Sequence, residues 1–99
     1  MKKSEKEKLN TVSLFISILT ILNEQSMAES EVKKIIYLKK PSFYKVNDDI
    51  LLSIFVKLFD GGFIEIETAG QGDNLLKITK QGKSYHQQIM ALIAERTKE

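Results

Sequence analysis

Phe63-Ile64-Glu65-Ile66-Glu67-Thr68 alternates apolar and polar side chains, and Asn74-Leu75-Leu76-Lys77-Ile78 forms a second short apolar-rich run after a break. Alternation is the period of a half-buried strand. The segment between them, Ala69-Gly70-Gln71-Gly72-Asp73, has the glycine content of a hairpin loop. The pair predicts a β-hairpin.

Upstream of the hairpin the period is helical. Asn47 is a good N-cap, and Asp48 and Asp49 follow it in a first turn where the helix dipole favours acids. The helix they open runs to Phe59 and stops at Asp60-Gly61-Gly62, glycines suited to a left-handed turn. Before it, Lys39 to Val46 reads as a loop, because Pro41 cannot donate to a helix and restricts its predecessor. A second helix fits Met27 to Leu38, with Val32, Ile35, Ile36 and Leu38 apolar. Ser26-Met27-Ala28-Glu29 has the spacing of a capping box for it. A first helix fits Leu9 to Asn23, with Val12, Phe15, Ile16, Leu19 and Leu22 at helical spacing. Its opposite side (Leu14, Ile18, Ile21) is apolar too, so it calls for burial on more than one side. Downstream of the hairpin, Thr79 can cap a last helix from Lys80 to Thr97, with Tyr85, Ile89, Met90, Leu92 and Ile93 apolar. The order helix-helix-helix-strand-strand-helix is that of an α+β winged helix-turn-helix.

Composition narrows the function. The chain has 99 residues, one histidine and no cysteine, which is room for one small domain and excludes disulfides, thiolate nucleophiles and multi-histidine metal sites. The domain is expected over residues 9–99, with residues 1–8 as a charged, solvated N-terminal tail. A core shared across a homodimer suits so short a chain. The longest apolar run, Val12 to Leu22, is too short for the roughly 20 residues of a membrane span, and three polar residues interrupt it. The N-terminal run mixes acids with bases and lacks the features of a secretory signal. The expectation is a cytoplasmic protein with no membrane partner.

The net charge of +2 misleads. Residues 1–8 hold four lysines and two glutamates, leaving 11 bases and 11 acids in the rest. Within that neutral body, five lysines (Lys33, Lys34, Lys39, Lys40, Lys45) fall between Val32 and Asn47 with no acid among them. Such local asymmetry suits a polyanion, although a charge run in isolation more often marks a solvated face.

Two stretches resemble the winged-helix DNA-binding regulators of the PadR-like and MarR-like groups. Phe55-Val56-Lys57-Leu58-Phe59-Asp60-Gly61-Gly62-Phe63-Ile64-Glu65 is similar to the end of a recognition helix, its glycine turn and the first wing strand. Leu76-Lys77-Ile78-Thr79-Lys80-Gln81-Gly82-Lys83 is similar to the second wing strand running into the C-terminal helix. The resemblance spans roughly residues 12–95 and implies a homodimer on double-stranded DNA. Candidate DNA contacts are Lys39, Lys40, Ser42, Tyr44, Lys45, Asn47, Ser53, Lys57, Gln71, Asn74 and Lys77. Tyr44 has the alternative of plugging the core, and Gln71, Asn74 and Lys77 that of simple solvation. Candidate dimer contacts are Phe15, Ile18, Leu22, Ile89, Leu92 and Ile93.

The third helix departs from that family pattern. It starts with two aspartates, and only Ser53 and Lys57 break the apolar run from Ile50 to Phe59. Three functions stay open. One is a transcriptional repressor. Another is a centromere-binding adaptor resembling the small plasmid-partition proteins of tubulin-like systems, which recruit a filament-forming protein. The last is an interaction module that does not bind DNA. No cofactor or metal is expected. His86 has no second ligand at metal spacing and reads as a surface or interface residue. Glu65 and Glu67 share a strand face with no cleft or partner base, so no catalysis is expected.

Overall fold

A computed structural model describes residues 3–68 and 72–97. Four α-helices, α1 (Lys3–Glu24), α2 (Glu29–Leu38), α3 (Asp48–Asp60) and α4 (Lys80–Thr97), surround a three-stranded sheet of β1 (Met27–Ala28), β2 (Ile64–Glu67) and β3 (Leu75–Ile78). A 3₁₀ turn, Lys40–Ser42, joins α2 to the loop before α3. The sheet is antiparallel in the order β1-β3-β2, and Ile64 faces Ile78 while Glu65 faces Lys77. This is the winged helix-turn-helix that the order of elements predicts, with β2 and β3 as the wing.

The core lies where the three N-terminal helices meet the sheet. Leu14, Ile18, Leu19 and Leu22 of α1 meet Val32 and Ile36 of α2, and Leu51, Ile54, Phe55 and Leu58 of α3; Ile64 and Leu76 close it from the sheet. Each such side chain contributes about 1.5–3 kcal/mol on full burial. Ile18 and Leu22, expected at a dimer interface, are 0% and 2% exposed in the single chain. They belong to its own core. Both faces of α1 are apolar and both contribute to the core, Leu19 and Leu22 from one and Leu14, Ile18 and Ile21 from the other. Phe15 is partly buried against the same core.

Two local expectations also change. The segment before Leu9 is helical from Lys3, since straight-chain Lys and Glu are good helix formers, and Glu5 to Lys8 are exposed on it. The capping box at Ser26 does not form, because Met27 and Ala28 pair with Leu76 and Leu75 as β1. Ala28 then occupies the cap position with no side-chain bond. The missing cap comes from the two residues that lead from the wing loop into β3. Asp73 accepts from the Ser30 N–H (3.2 Å) and the Ser30 hydroxyl (2.5 Å), and the Asn74 carbonyl accepts from Glu29 N–H (2.8 Å).

The other two caps form as expected. Asn47 Oδ1 accepts from Ile50 N–H at 2.8 Å. Thr79 Oγ1 accepts from Gly82 N–H at 2.9 Å and donates to the Gly62 carbonyl at 2.6 Å. At the end of α3, Phe63 N–H donates to Leu58 O and Gly62 N–H to Phe59 O, a Schellman closure with Gly62 at φ +78°. That closure turns the chain from α3 straight into the wing. No helix among the described residues is long and apolar enough to cross a membrane.

Candidate nucleic-acid interface

The approach to α3 is held by one buried amide. Asn10, 7% exposed on α1, donates from Nδ2 to the Lys45 carbonyl (2.7 Å) and accepts from the Lys45 N–H (3.2 Å). Both polar groups of the Lys45 backbone are thereby satisfied while its side chain stays exposed. Phe43 and Val46 pack into or against the core on either side, so the loop's polar residues are turned outward. Tyr44 is exposed rather than a core plug, with the Lys6 ammonium 5.8 Å from its ring centroid.

Tyr44, Lys45, Ser53 and Lys57 line one open groove between α1 and α3, bringing four of the candidate DNA contacts together. Glu7 and Asp49 line it too, so its charge is balanced. Lys39, Lys40 and Ser42 are exposed in and beside the 3₁₀ turn. Among the described residues the only ion pairs are Lys33–Glu29, an i,i+4 pair at 3.7 Å, and Lys77–Glu67. Lys34, Lys39, Lys40, Lys45 and Lys57 therefore make no ion pair among the described residues, and Lys34, Lys39 and Lys40 lie outside the charge-balanced groove.

The exposed half of α3 divides in two. Asp49, Ser53 and Lys57, at i, i+4 and i+8, face the groove. Leu52, Val56 and Phe59, at i, i+4 and i+7, form an apolar stripe that is 54%, 46% and 48% exposed. Asp48 at the helix start accepts from the Tyr37 hydroxyl of α2 at 2.5 Å. That bond, partial burial and the carboxylate charge push the Tyr37 phenol up to about 12. Asn47 is exposed, but its side-chain oxygen is committed to the cap.

On the wing, Lys77 lies opposite Glu65 and its ammonium reaches diagonally to Glu67 Oε2 at 2.7 Å. The hydrogen bond and the charge of Glu67 raise the Lys77 pKa, with Glu65 adding a smaller effect. Asn74 anchors the wing through its carbonyl. Gln71, the remaining candidate contact, lies outside the described residues.

Of the remaining candidate dimer contacts, Leu92 and Ile93 of α4 are 57% and 42% exposed and Ile89 is partly buried. Met90 beside them is also exposed and extends the same apolar surface. His86 Nε2 lies 2.8 Å from Thr20 Oγ1, whose hydroxyl is also 2.8 Å from the Ile16 carbonyl. The histidine thus joins α4 to α1. Among the described residues no group of three or more His, Asp or Glu could hold a metal ion.

No family model matches the chain, and no curated protein matches it. Solved structures do. A PadR-like transcription factor from Bacteroides fragilis superposes with a TM-score of 0.79 at 20% identity, covering 97% of this chain and 94% of the other. A transcriptional regulator from Clostridium thermocellum gives 0.74 at 21% identity, covering 99% and 92%. RosR of H. salinarum gives 0.74 at 18% identity, covering 84% and 74%. At these identities the likeness is one of fold, and it extends over nearly the whole chain in two of the three.

Proposed function

We propose that this chain is a homodimeric, sequence-specific double-stranded-DNA-binding protein that acts as a transcriptional repressor. The observation that carries the reading is the placement of Lys39, Lys40 and Lys45. All three are exposed and unpaired on the turn that leads into the recognition helix, and Asn10 fixes the last of them. Lysines of this kind supply phosphate contacts, hence affinity that falls with salt. The groove-facing edge of α3, with Ser53 and Lys57, then lies next to the bases. Two copies related by a twofold axis would read half-sites about 34 Å apart. The exposed apolar residues of α4 offer the surface through which those copies join. Titration of duplex DNA across a salt series tests the reading, and no binding at about 50 mM salt, where phosphate contacts are strongest, rules it out in favour of a pure interaction module.

One observation favours a second reading. The stripe of Leu52, Val56 and Phe59 is apolar and flanked by acids, a surface better matched to protein than to phosphate. In a partition adaptor, α3 would pack on its counterpart in the other copy, and the lysine-rich turn and wing would hold the DNA. Tandem DNA sites and co-binding of a filament-forming protein would distinguish that role from repression at a single operator.

A further inference from the structure

The wing carries a single base. Between Phe63 and Ile78 the sequence has Lys77 against Glu65, Glu67 and Asp73. Asp73, two residues ahead of β3, is occupied with Ser30. Ile64 and Leu76 point into the core, at 1% and 0% exposure, so the pleat turns Glu65, Glu67 and Lys77 outward together. On that outer face Lys77 is engaged by Glu67 at 2.7 Å, with Glu65 directly across. The side chains of Lys77 and Glu67 are 42% and 60% exposed, so the pair is open to exchange with solvent ions. A hairpin in this state brings net negative charge toward a phosphate backbone.

We propose that Glu67 is a built-in phosphate surrogate: its carboxylate occupies the ammonium of Lys77 until a DNA phosphate replaces it. The proposal rests on the DNA-binding reading above. A carboxylate and a phosphate oxygen make the same charge-assisted hydrogen bond to a lysine. An exposed pair of this type is weak enough to exchange. The consequence is selectivity. On arbitrary sequence, where the protein is held by phosphate contacts alone, exchange gains nothing and the wing stays off the backbone. On a site whose bases seat α3, the wing is held close and exchange follows. Glu67 therefore suppresses non-specific binding more than specific binding.

The test is the salt dependence of binding to mixed-sequence duplex DNA for the unaltered protein, Glu67→Gln, Lys77→Met and the double variant. Glu67→Gln is expected to tighten binding at about 50 mM salt and to steepen the log–log salt slope by about 1 per protomer. Adding Lys77→Met is expected to abolish the steepening. Glu65→Gln, which removes the same charge without a bond to Lys77, is expected to leave the slope nearly unchanged. An unchanged slope in Glu67→Gln, or steepening that persists without Lys77, overturns the proposal while the unaltered protein still binds DNA. Failure of the unaltered protein to bind overturns the DNA-binding reading and this one with it. All the substituted side chains are partly or largely exposed, and matched thermal unfolding confirms that each variant is folded.

Discussion

Asn10 grips the Lys45 peptide from both ends, donating to its carbonyl at 2.7 Å and accepting from its N–H at 3.2 Å, across 35 residues of sequence. The amide matches a backbone N–H and C=O in the way a neighbouring strand would, so α1 sets where α3 begins. Asn10→Ala leaves both groups without their partner in a part-buried site. The expected cost is about 1–3 kcal/mol for each buried group left unsatisfied, reduced where water enters. Thermal unfolding checks the loss. Asn10→Asp should be as damaging, because a carboxylate would face the Lys45 carbonyl.

Gly82 supplies the second fixed point. A Cβ there would lie 2.1 Å from the Phe63 carbonyl oxygen and 2.8 Å from the Ile78 side chain. The start of α4 is pressed against the residue just before the wing, tied by Thr79 N–H to Phe63 O and by Gln81 Nε2 to Gly61 O. Gly82→Ala forces backbone from backbone. A loss of about 1–3 kcal/mol or more is expected in denaturant unfolding, against the gain of about 0.4–1 kcal/mol for Gly→Ala in an open helix.

The Tyr37 phenol, raised to about 12 by its bond to Asp48, gives a pH signature. The unfolded phenol titrates near 10, so the folded state holds its proton more tightly. The stabilisation is complete below pH about 10 and is lost as pH rises from there through 12. Ultraviolet titration of the phenolate should show the Tyr37 transition displaced upward, and Asp48→Asn should return it toward 10.

Self-association should depend on α4. Leu92→Asp with Ile93→Asp places charge on an exposed apolar surface, so the monomer should tolerate it and the dimer should not. Sedimentation velocity is expected to show a dimer for the unaltered protein and a monomer for the pair. Val56→Lys on the α3 stripe is expected to leave the dimer intact under the repressor reading. Dissociation by Val56→Lys in place of the α4 pair would favour the partition-type arrangement.

The fold was largely legible because its decisive signals are local. The alternation of Ile64, Glu65, Ile66 and Glu67, the caps at Asn47 and Thr79, and the glycine turn at Gly62 each act within a few residues. What escaped was set by distant partners. Met27–Ala28 is a strand only because Leu75 and Leu76 lie beside it, and that pairing displaced the capping box at Ser26. Ile18 and Leu22 looked available for a partner because α1 is apolar on both sides, and no pattern within one helix says that both sides contribute to its own core. At the candidate site, the lysines and the outward direction of Lys77 could be read from charge and pleat. Its bond to Glu67 needed the register of β2 against β3. The Asn10–Lys45 clamp left no signal, since an asparagine amid Lys, Glu and Leu reads as surface.

In the DNA-binding reading proposed above, Lys40 and Lys45 hold DNA phosphates from the turn and loop before α3. The direct measurement is the binding constant for duplex DNA from about 50 to 200 mM salt, for the unaltered protein and for Lys40→Ala with Lys45→Ala. Neither substitution touches the Asn10 clamp, which uses only the backbone of Lys45. Weaker binding to every sequence is expected, with a slope shallower by about 1 for each lysine removed. Binding with an unaltered slope would contradict it.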